Sequence, residues 1–496
     1  MRCRVRPPRS LPGSARSSIT CSGPGGCDLR AHEPLSLRRE EGCGRGGRPR
    51  AFGRKEVAAG ETYSTATFLG ASGGAYSLGD VALWTTGYGT IAYAFGYLYL
   101  PTLWTYARDH NLVTQADFFQ HRFGSRWIGA LFGIVGVAFM IPYIEVQLLG
   151  FGQIVQVTSG GALPRDVSML LAFAVVAIFV SLAGMNATAM VAILKDILMI
   201  LAIGIVGIYL PLHYFGSYIT VVDKVLAKYP GLFALQGHTI QHTPLWMMST
   251  LLVSGAAFFM FPHATAAIFS AKSAETVRRN MVFLPFYNIL LFLPVLVGMT
   301  ALLVTPGLTG SDTNAALLNL SVAALPPWVA GLVGAAGALS AMVPVSLLVL
   351  QSATQLSKNV YKAAFRPQTG ERTVLSLSKW LVFAVMAVSL LLALTSPTLL
   401  VNLLQIGQAG VSQFLPAIVL GLFWKRLNRA AMLVGMLVGV AIVSWSVITT
   451  TPVVFGMNVG LVALAINVVI TVGGSAIRPG HAPADDKKVG AAAILG

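Results

Sequence analysis

The stretch GETYSTATFLGASGG, residues 60–74, places one acid, Glu61, among the hydroxyl side chains of Thr62, Tyr63, Ser64, Thr65 and Thr67, and ends in Gly70, Gly73 and Gly74. An acid beside hydroxyls and unwound carbonyls offers hard oxygen ligands to a cation, or hydrogen bonds to a polar solute, while the glycines let the backbone turn. Few other ionisable groups fall inside apolar runs: Glu145, the pair Lys195–Asp196, and His263. At a bilayer centre each charged group costs about 2.5–3.5 kcal/mol on insertion scales, so each is a functional candidate. Glu145 follows Pro142 in FMIPYIEVQLLG, with Gln147 two residues on. A proline there frees the Ala138 carbonyl and bends the helix; a polar pocket wall and a helix–helix hydrogen bond fit equally well. His263 follows Pro262 in SGAAFFMFPH, residues 254–263, which also holds Phe258. This histidine could meet a carboxylate, carry a proton or cap a break. Lys195 and Asp196 are placed near a cytoplasmic end, where lysine snorkels, and read as structural or gate residues.

These residues need a membrane scaffold to position them. The chain has 496 residues, 55% hydrophobic and only 10% charged, with a mean hydropathy of +0.72; a soluble chain carries about a quarter charged residues. The net charge of +16 does not indicate nucleic acid, because 13 of the 34 Lys and Arg lie in residues 1–55 and most others in short loops between apolar runs. All four cysteines (Cys3, Cys21, Cys27, Cys43) precede residue 55 in no zinc-binding spacing. Neither a Walker A sequence nor HExxH is present, which argues against an ATP-driven pump and a zinc protease. The chain reads as a transporter rather than an enzyme.

Apolar runs of spanning length occur near 60–79, 82–106, 127–157, 167–185, 188–212, 246–270, 280–304, 326–357, 374–396, 398–424, 429–450 and 456–476, about twelve in all, and in lipid these must be helices. Alternate loops carry very different charge. One side holds Arg108, Arg122, Arg126, Lys272, Arg278, Arg279, Lys358, Lys362, Arg366, Arg372, Lys379, Lys425, Arg426, Arg429, Arg478, Lys487 and Lys488; the other holds only Arg165, Lys224 and Lys228. The basic side is cytoplasmic by the positive-inside rule, which puts the C-terminus in the cytoplasm. The first span is interrupted by Gly70, Gly73 and Gly74, the sixth by Gly255 and Pro262. Interruptions in corresponding positions of two five-span halves point to an inverted-repeat transporter with a midplane site.

The segments ETYSTATFLGASGGAYSLG, GYGTIAYAFGYLYLPTLW, LVTQADFFQHRFGSR, LKDILMILA (194–202), FMFPHATAAIFSAKSAETVRRNMVFLPFYNILL (259–291) and LLQIGQAGVSQFLPAIVLGLFWKRLNRAAMLVG (403–435) resemble the sodium:solute symporter family, nearest its bacterial monocarboxylate and metabolite permeases. The resemblance runs from residue 57 to about 475. It implies an all-α polytopic membrane protein of the bacterial inner membrane, with a five-plus-five inverted-repeat core, two broken helices and extra C-terminal helices. It also implies import of a small organic solute, a monocarboxylate on this branch, by symport with a cation, and no cofactor beyond Na+ or H+ as coupling ion. The expected partners are the lipid bilayer and the small-molecule substrate, with no nucleic acid. The division implied is a disordered or non-native tail at 1–55, the core at 56–424, two peripheral helices at 425–476 and a cytoplasmic tail at 477–496. Family members carry one more helix before this point, whereas GRGGRPRAFGRKEVAA here cannot span.

Substrate contacts are expected from Glu61, Thr62, Ser64, Thr65, Glu145, Gln147, Phe258 and His263. The family's cation site, matched without gaps, takes its first two carbonyls from Gly60 and Tyr63 and another from Ser340, while its two adjacent hydroxyls fall on Val343 and Pro344, which have none. Pro344 cannot donate to the Ser340 carbonyl, which leaves either a carbonyl-based cation site or a plain kink. Proton coupling through Glu61 is the favoured reading; the rivals are a sodium-coupled symporter of another small solute, and a non-transporting sensor or remnant of the same fold.

Overall fold

The computed structural model describes residues 63–232, 243–395 and 398–480, with no side-chain description at 80–81 and 183–190. Gly60, Glu61, Thr62 and both tails, 1–55 and 481–496, lie outside the described residues. Helix accounts for nearly all of what is described, because only helices satisfy their own backbone in lipid.

After a wide π-helical stretch, Ala66–Gly70, come α1 (Ala71–Leu78), α2 (Trp84–Asp109), α3 (Gln115–Phe123), α4 (Arg126–Thr158), α5 (Arg165–Phe215) and α6 (Tyr218–Lys228). The second half holds α7 (Pro244–Ala257), α8 (Pro262–Phe269), α9 (Ala274–Asn288), α10 (Phe292–Val304), α11 (Ala316–Ala324), α12 (Pro327–Thr354) with a π-helical extension Gln355–Phe365, α13 (Glu371–Thr395), α14 (Leu400–Val411) and α15 (Leu415–Phe423). Finally α16 (Arg429–Thr449) and α17 (Val459–Ile477) pack on each other and on α14, joined by the small antiparallel pair β1 (Val453–Val454) and β2 (Met457–Asn458).

Among the described residues nine helical segments are long and apolar enough to cross a membrane, or ten if the bent pair α7–α8 is one span. The count falls below twelve for two reasons. The first segment is helical with its interruption over only Ala66–Leu78, about 20 Å at 1.5 Å per residue. The Tyr-, Thr- and Gly-rich α2 is not apolar enough on its own, but it is packed between α7 and α9. The break expected between 185 and 188 does not interrupt the helical backbone: α5 is helical for 51 residues, about 77 Å. Its apolar stretches Arg165–Leu182 and Val191–Phe215 are each of spanning length.

Both breaks are present, but their causes differ from the sequence expectation. At the first, the chain enters at Tyr63 and Ser64 outside any helix and turns through the π-helical Ala66–Gly70; such wide turns mark functional sites. Gly73 and Gly74 lie beyond the interruption, inside regular α1. Gly73 is needed for packing, since a Cβ there would lie 2.7 Å from the Asn314 Cα and 2.8 Å from the Thr313 carbonyl oxygen. At the second, α7 tightens into a 3-10 turn at Phe258–Met260, Phe261 is extended, and α8 restarts on Pro262, bent by 52°. Proline holds its predecessor extended and fits the first helical position, so Pro262 makes this break. Gly255 lies within α7 and admits Ile91 and the Tyr88 carbonyl of α2.

Candidate functional site

The unwound entry to the first helix is held by three other elements. Ser64 gathers its own turn: its carbonyl accepts from the Thr67 hydroxyl at 2.9 Å and from the amides of Thr67 and Phe68. Thr65 donates its amide to Gln147 Oε1 of α4 at 3.3 Å. Tyr63 donates its hydroxyl to the Tyr287 carbonyl at 2.6 Å, with the two rings edge-on at 4.2 Å. The Tyr63 carbonyl accepts from Lys195 Nζ of α5 at 2.7 Å. Lys195 therefore does not snorkel: its side chain is 0% exposed and also lies 3.1 Å from Asp196 Oδ1. Sequence reasoning noticed this lysine as ionisable within a span but gave it no partner outside its own helix, because one 132 residues away is invisible to local pattern.

The second break has its own brace. Gln115 Nε2, from α3, donates to the Met260 carbonyl at 2.7 Å and to Thr265 Oγ1 at 2.9 Å. The Thr265 hydroxyl also reaches the Phe259 carbonyl at 2.9 Å. These bonds satisfy backbone groups that the break frees, as a dry interior requires. Sequence analysis missed Gln115. On the other side of the break, His263 in the first turn of α8 is buried beside Tyr143 of α4 and Phe261, with ring centroids 5.7 and 5.4 Å away.

Helix phase sorts the remaining candidates. Tyr143, Gln147 and Gly150 share the face of α4 that meets the two broken helices; a Cβ on Gly150 would lie 1.8 Å from Thr65 Cγ2. Glu145, two residues from each of Tyr143 and Gln147, points to the opposite face, seven residues before Gly152, whose neighbour is Met169 of α5. Its Oε1 has no hydrogen-bond partner among the described residues. Phe258 turns to α2, with centroids 6.0 Å from Tyr88 and 5.8 Å from Tyr93. The structure thus groups Ser64, Thr65 and Gln147, joins them through α4 to His263, and sets Glu145 and Phe258 apart.

At the expected cation position α12 continues through Pro344, and the Ser340 hydroxyl turns back to the Gly337 carbonyl at 2.6 Å. Val343 and Pro344 are buried, and the Val343 carbonyl accepts from Ser346. Residues Gly70–Gly74 also spell G-x-S-x-G, but Ser72 lies inside α1 with its hydroxyl bonded to the Leu69 carbonyl, so it is no strained nucleophile elbow.

At one end of the molecule α3 meets the extension of α12. Asp117 accepts from Lys358 Nζ and Asn359 Nδ2, each at 2.7 Å, and from the amides of Val113 and Thr114 at 3.0 Å. The Thr114 hydroxyl, which caps α3, donates to Asn359 Oδ1. A cleft of about 570 Å³ beside this latch is lined by Arg126, Lys358 and Lys362 among others, so basic residues assigned to the cytoplasmic list meet at one surface. Burial pushes the Asp117 carboxyl up, but the Lys358 ammonium and the hydrogen bonds outweigh it and hold the group below the usual carboxylate range.

The sequence profile of the sodium:solute symporter family matches residues 54–439. The chain is 34% identical over 425 residues to the uncharacterized symporter YhjB of Bacillus subtilis (strain 168), covering 83% of this chain and 86% of that one. It is 28% identical to a monocarboxylate transport permease protein of Rhizobium johnstonii, covering 86% and 87% respectively. A solved structure of a Na+-coupled sialic acid symporter, in a substrate-bound outward-open state, superposes with a TM-score of 0.69 at 16% identity over 87% of this chain and 90% of that one, a likeness of fold. A helical membrane scaffold with paired interruptions, a family profile over most of its length and a relative above 30% identity lead to one conclusion: the chain belongs to the sodium:solute symporter family.

Proposed function

We propose that the chain imports a small monocarboxylate through a site between its two broken helices, coupled to a proton rather than to sodium. The observation that carries the substrate reading is the start of α8. Pro262 has no N–H, the next amides sit at the positive end of the helix, and the buried His263 stands there with Tyr143 and Phe261. Backbone amides at a half-helix N-terminus favour an anionic substrate group at the membrane midplane. The aromatic rings of Tyr143 and Phe261 offer apolar surface to a short substrate body, and the Thr65–Gln147 contact supplies a polar wall on the facing helix. The relative described as a monocarboxylate permease supports the same class. The proton reading is supported by the loss of both hydroxyls at Val343 and Pro344 and by the inward turn of the Ser340 hydroxyl. The cytoplasmic C-terminus follows from the same reading of the basic loops.

Uptake of labelled pyruvate, lactate and acetate into proteoliposomes, with sodium and proton gradients imposed separately, tests this. Proline and pantothenate serve as controls, because relatives described as symporters of these solutes align here too. The expected result is monocarboxylate uptake driven by an inward proton gradient and reduced in His263→Ala. Strong stimulation by sodium alone at fixed pH, or transport of a control solute with no monocarboxylate uptake, would refute it.

A further inference from the structure

We infer that the Lys195 ammonium is the resident cation of this transporter, standing where a coupling metal ion would otherwise bind the unwound first helix. The inference deepens the sodium-independent reading above, and its test reads ion binding alone, so the two can fail separately.

Four observations meet at this point. The Tyr63 carbonyl, at an unwound turn, is the kind of outward-directed backbone oxygen that binds a hard cation, and it already accepts from Lys195 Nζ at 2.7 Å. Lys195 is among the largest fully buried side chains of the molecule, on a helix that packs along α12. The α12 side lacks hydroxyls at Val343 and Pro344, and that of Ser340 is spent on Gly337. Asp196 Oδ1, 3.1 Å from Nζ, supplies a counter-charge, so the ammonium is a buried charge with a partner. A metal ion at the same carbonyl would face a fixed positive charge at contact distance, which disfavours binding strongly in a dry interior.

The ammonium ties α5 to the Tyr63 carbonyl at the start of the first helix, so a charge tethered to the protein takes the place that a removable ion would need.

The purified full-length protein is tested first without substrate. Binding of labelled sodium and the Tm in sodium against potassium read the site directly. No sodium binding and no sodium-dependent shift are expected; saturable sodium binding that raises the Tm would overturn the inference whatever the substrate. Lys195→Met removes the ammonium from the Tyr63 carbonyl and is expected to lower the Tm in potassium and to bring in a rise in Tm with sodium that the wild type lacks; a folded variant as indifferent to sodium as the wild type would also overturn the inference. Failure of the wild type to move any monocarboxylate would count against the substrate reading alone, because the sodium measurements need no transport.

Discussion

Replacing Asp117 by alanine should unfasten the α3 end of the molecule, and the structure allows the loss to be sized. The carboxylate accepts four hydrogen bonds, from Lys358, Asn359 and the Val113 and Thr114 amides, and its side chain is 13% exposed. Hydrogen bonds to a charged group contribute about 1.5–3 kcal/mol each, but they are not additive when they share one acceptor. Lys358 is 39% exposed, so water takes over part of its charge when the partner is removed. Asn359, by contrast, is buried and would be left with an unsatisfied amide. Weighing these, Asp117→Ala should cost roughly 3 kcal/mol, and Asp117→Asn, which keeps the shape but not the charge, about half of that. Thermal unfolding of the detergent-solubilised protein reads the loss. Thiol labelling of a cysteine at Gln355 reads opening at the same end, against a membrane region with no native cysteine. The folded carboxyl titrates below its ordinary value of 3.8, so the latch is fully present above that value and is lost as pH falls through the lowered one. Wild-type stability attributable to Asp117 should therefore be flat between neutral pH and pH 5 and decline only below about pH 4. An Asp117→Ala protein as stable as wild type at pH 7, or a wild-type-minus-variant difference that vanishes already between pH 7 and 5, would refute the reasoning.

Gln115→Leu leaves the Met260 carbonyl without its side-chain donor in a dry break, and should lower stability by about 1–3 kcal/mol and slow uptake; an unchanged Tm counts against the brace. Gly73→Ala drives a methyl into the backbone of Asn314, where no flexible side chain can yield, and is expected to cost about 1–3 kcal/mol by thermal unfolding. Gly74→Ala meets only side-chain carbons at 3.4 Å and should be milder. Glu145→Gln should keep uptake and leave the Tm unchanged or raised, whereas Gln147→Leu should lose uptake; the reverse ranking would show that the wrong face of α4 had been assigned to the site.

Membrane class, the approximate position of most spans and the existence of two interruptions were determined by sequence alone, because each depends on local properties. A run of some twenty apolar residues has few options other than a helix in lipid, and Pro262 interrupts its helix wherever the rest of the chain lies, since it has no N–H and holds Phe261 extended. Family membership was legible for a similar reason: its motifs are contiguous. The roles of individual residues were decided only by tertiary structure. Gly73 and Gly255 look like helix breakers in one dimension and turn out to be the places where Asn314 and Ile91 come close. Glu145 and Gln147 are two residues apart, yet helix phase and the neighbours of α4 send them to different faces. Gln115 and Lys195 act through carbonyls 145 and 132 residues away. A hydrophobicity pattern specifies which segments leave water; it carries no record of which freed carbonyl will meet which donor, because that match is made by packing after the helices have formed.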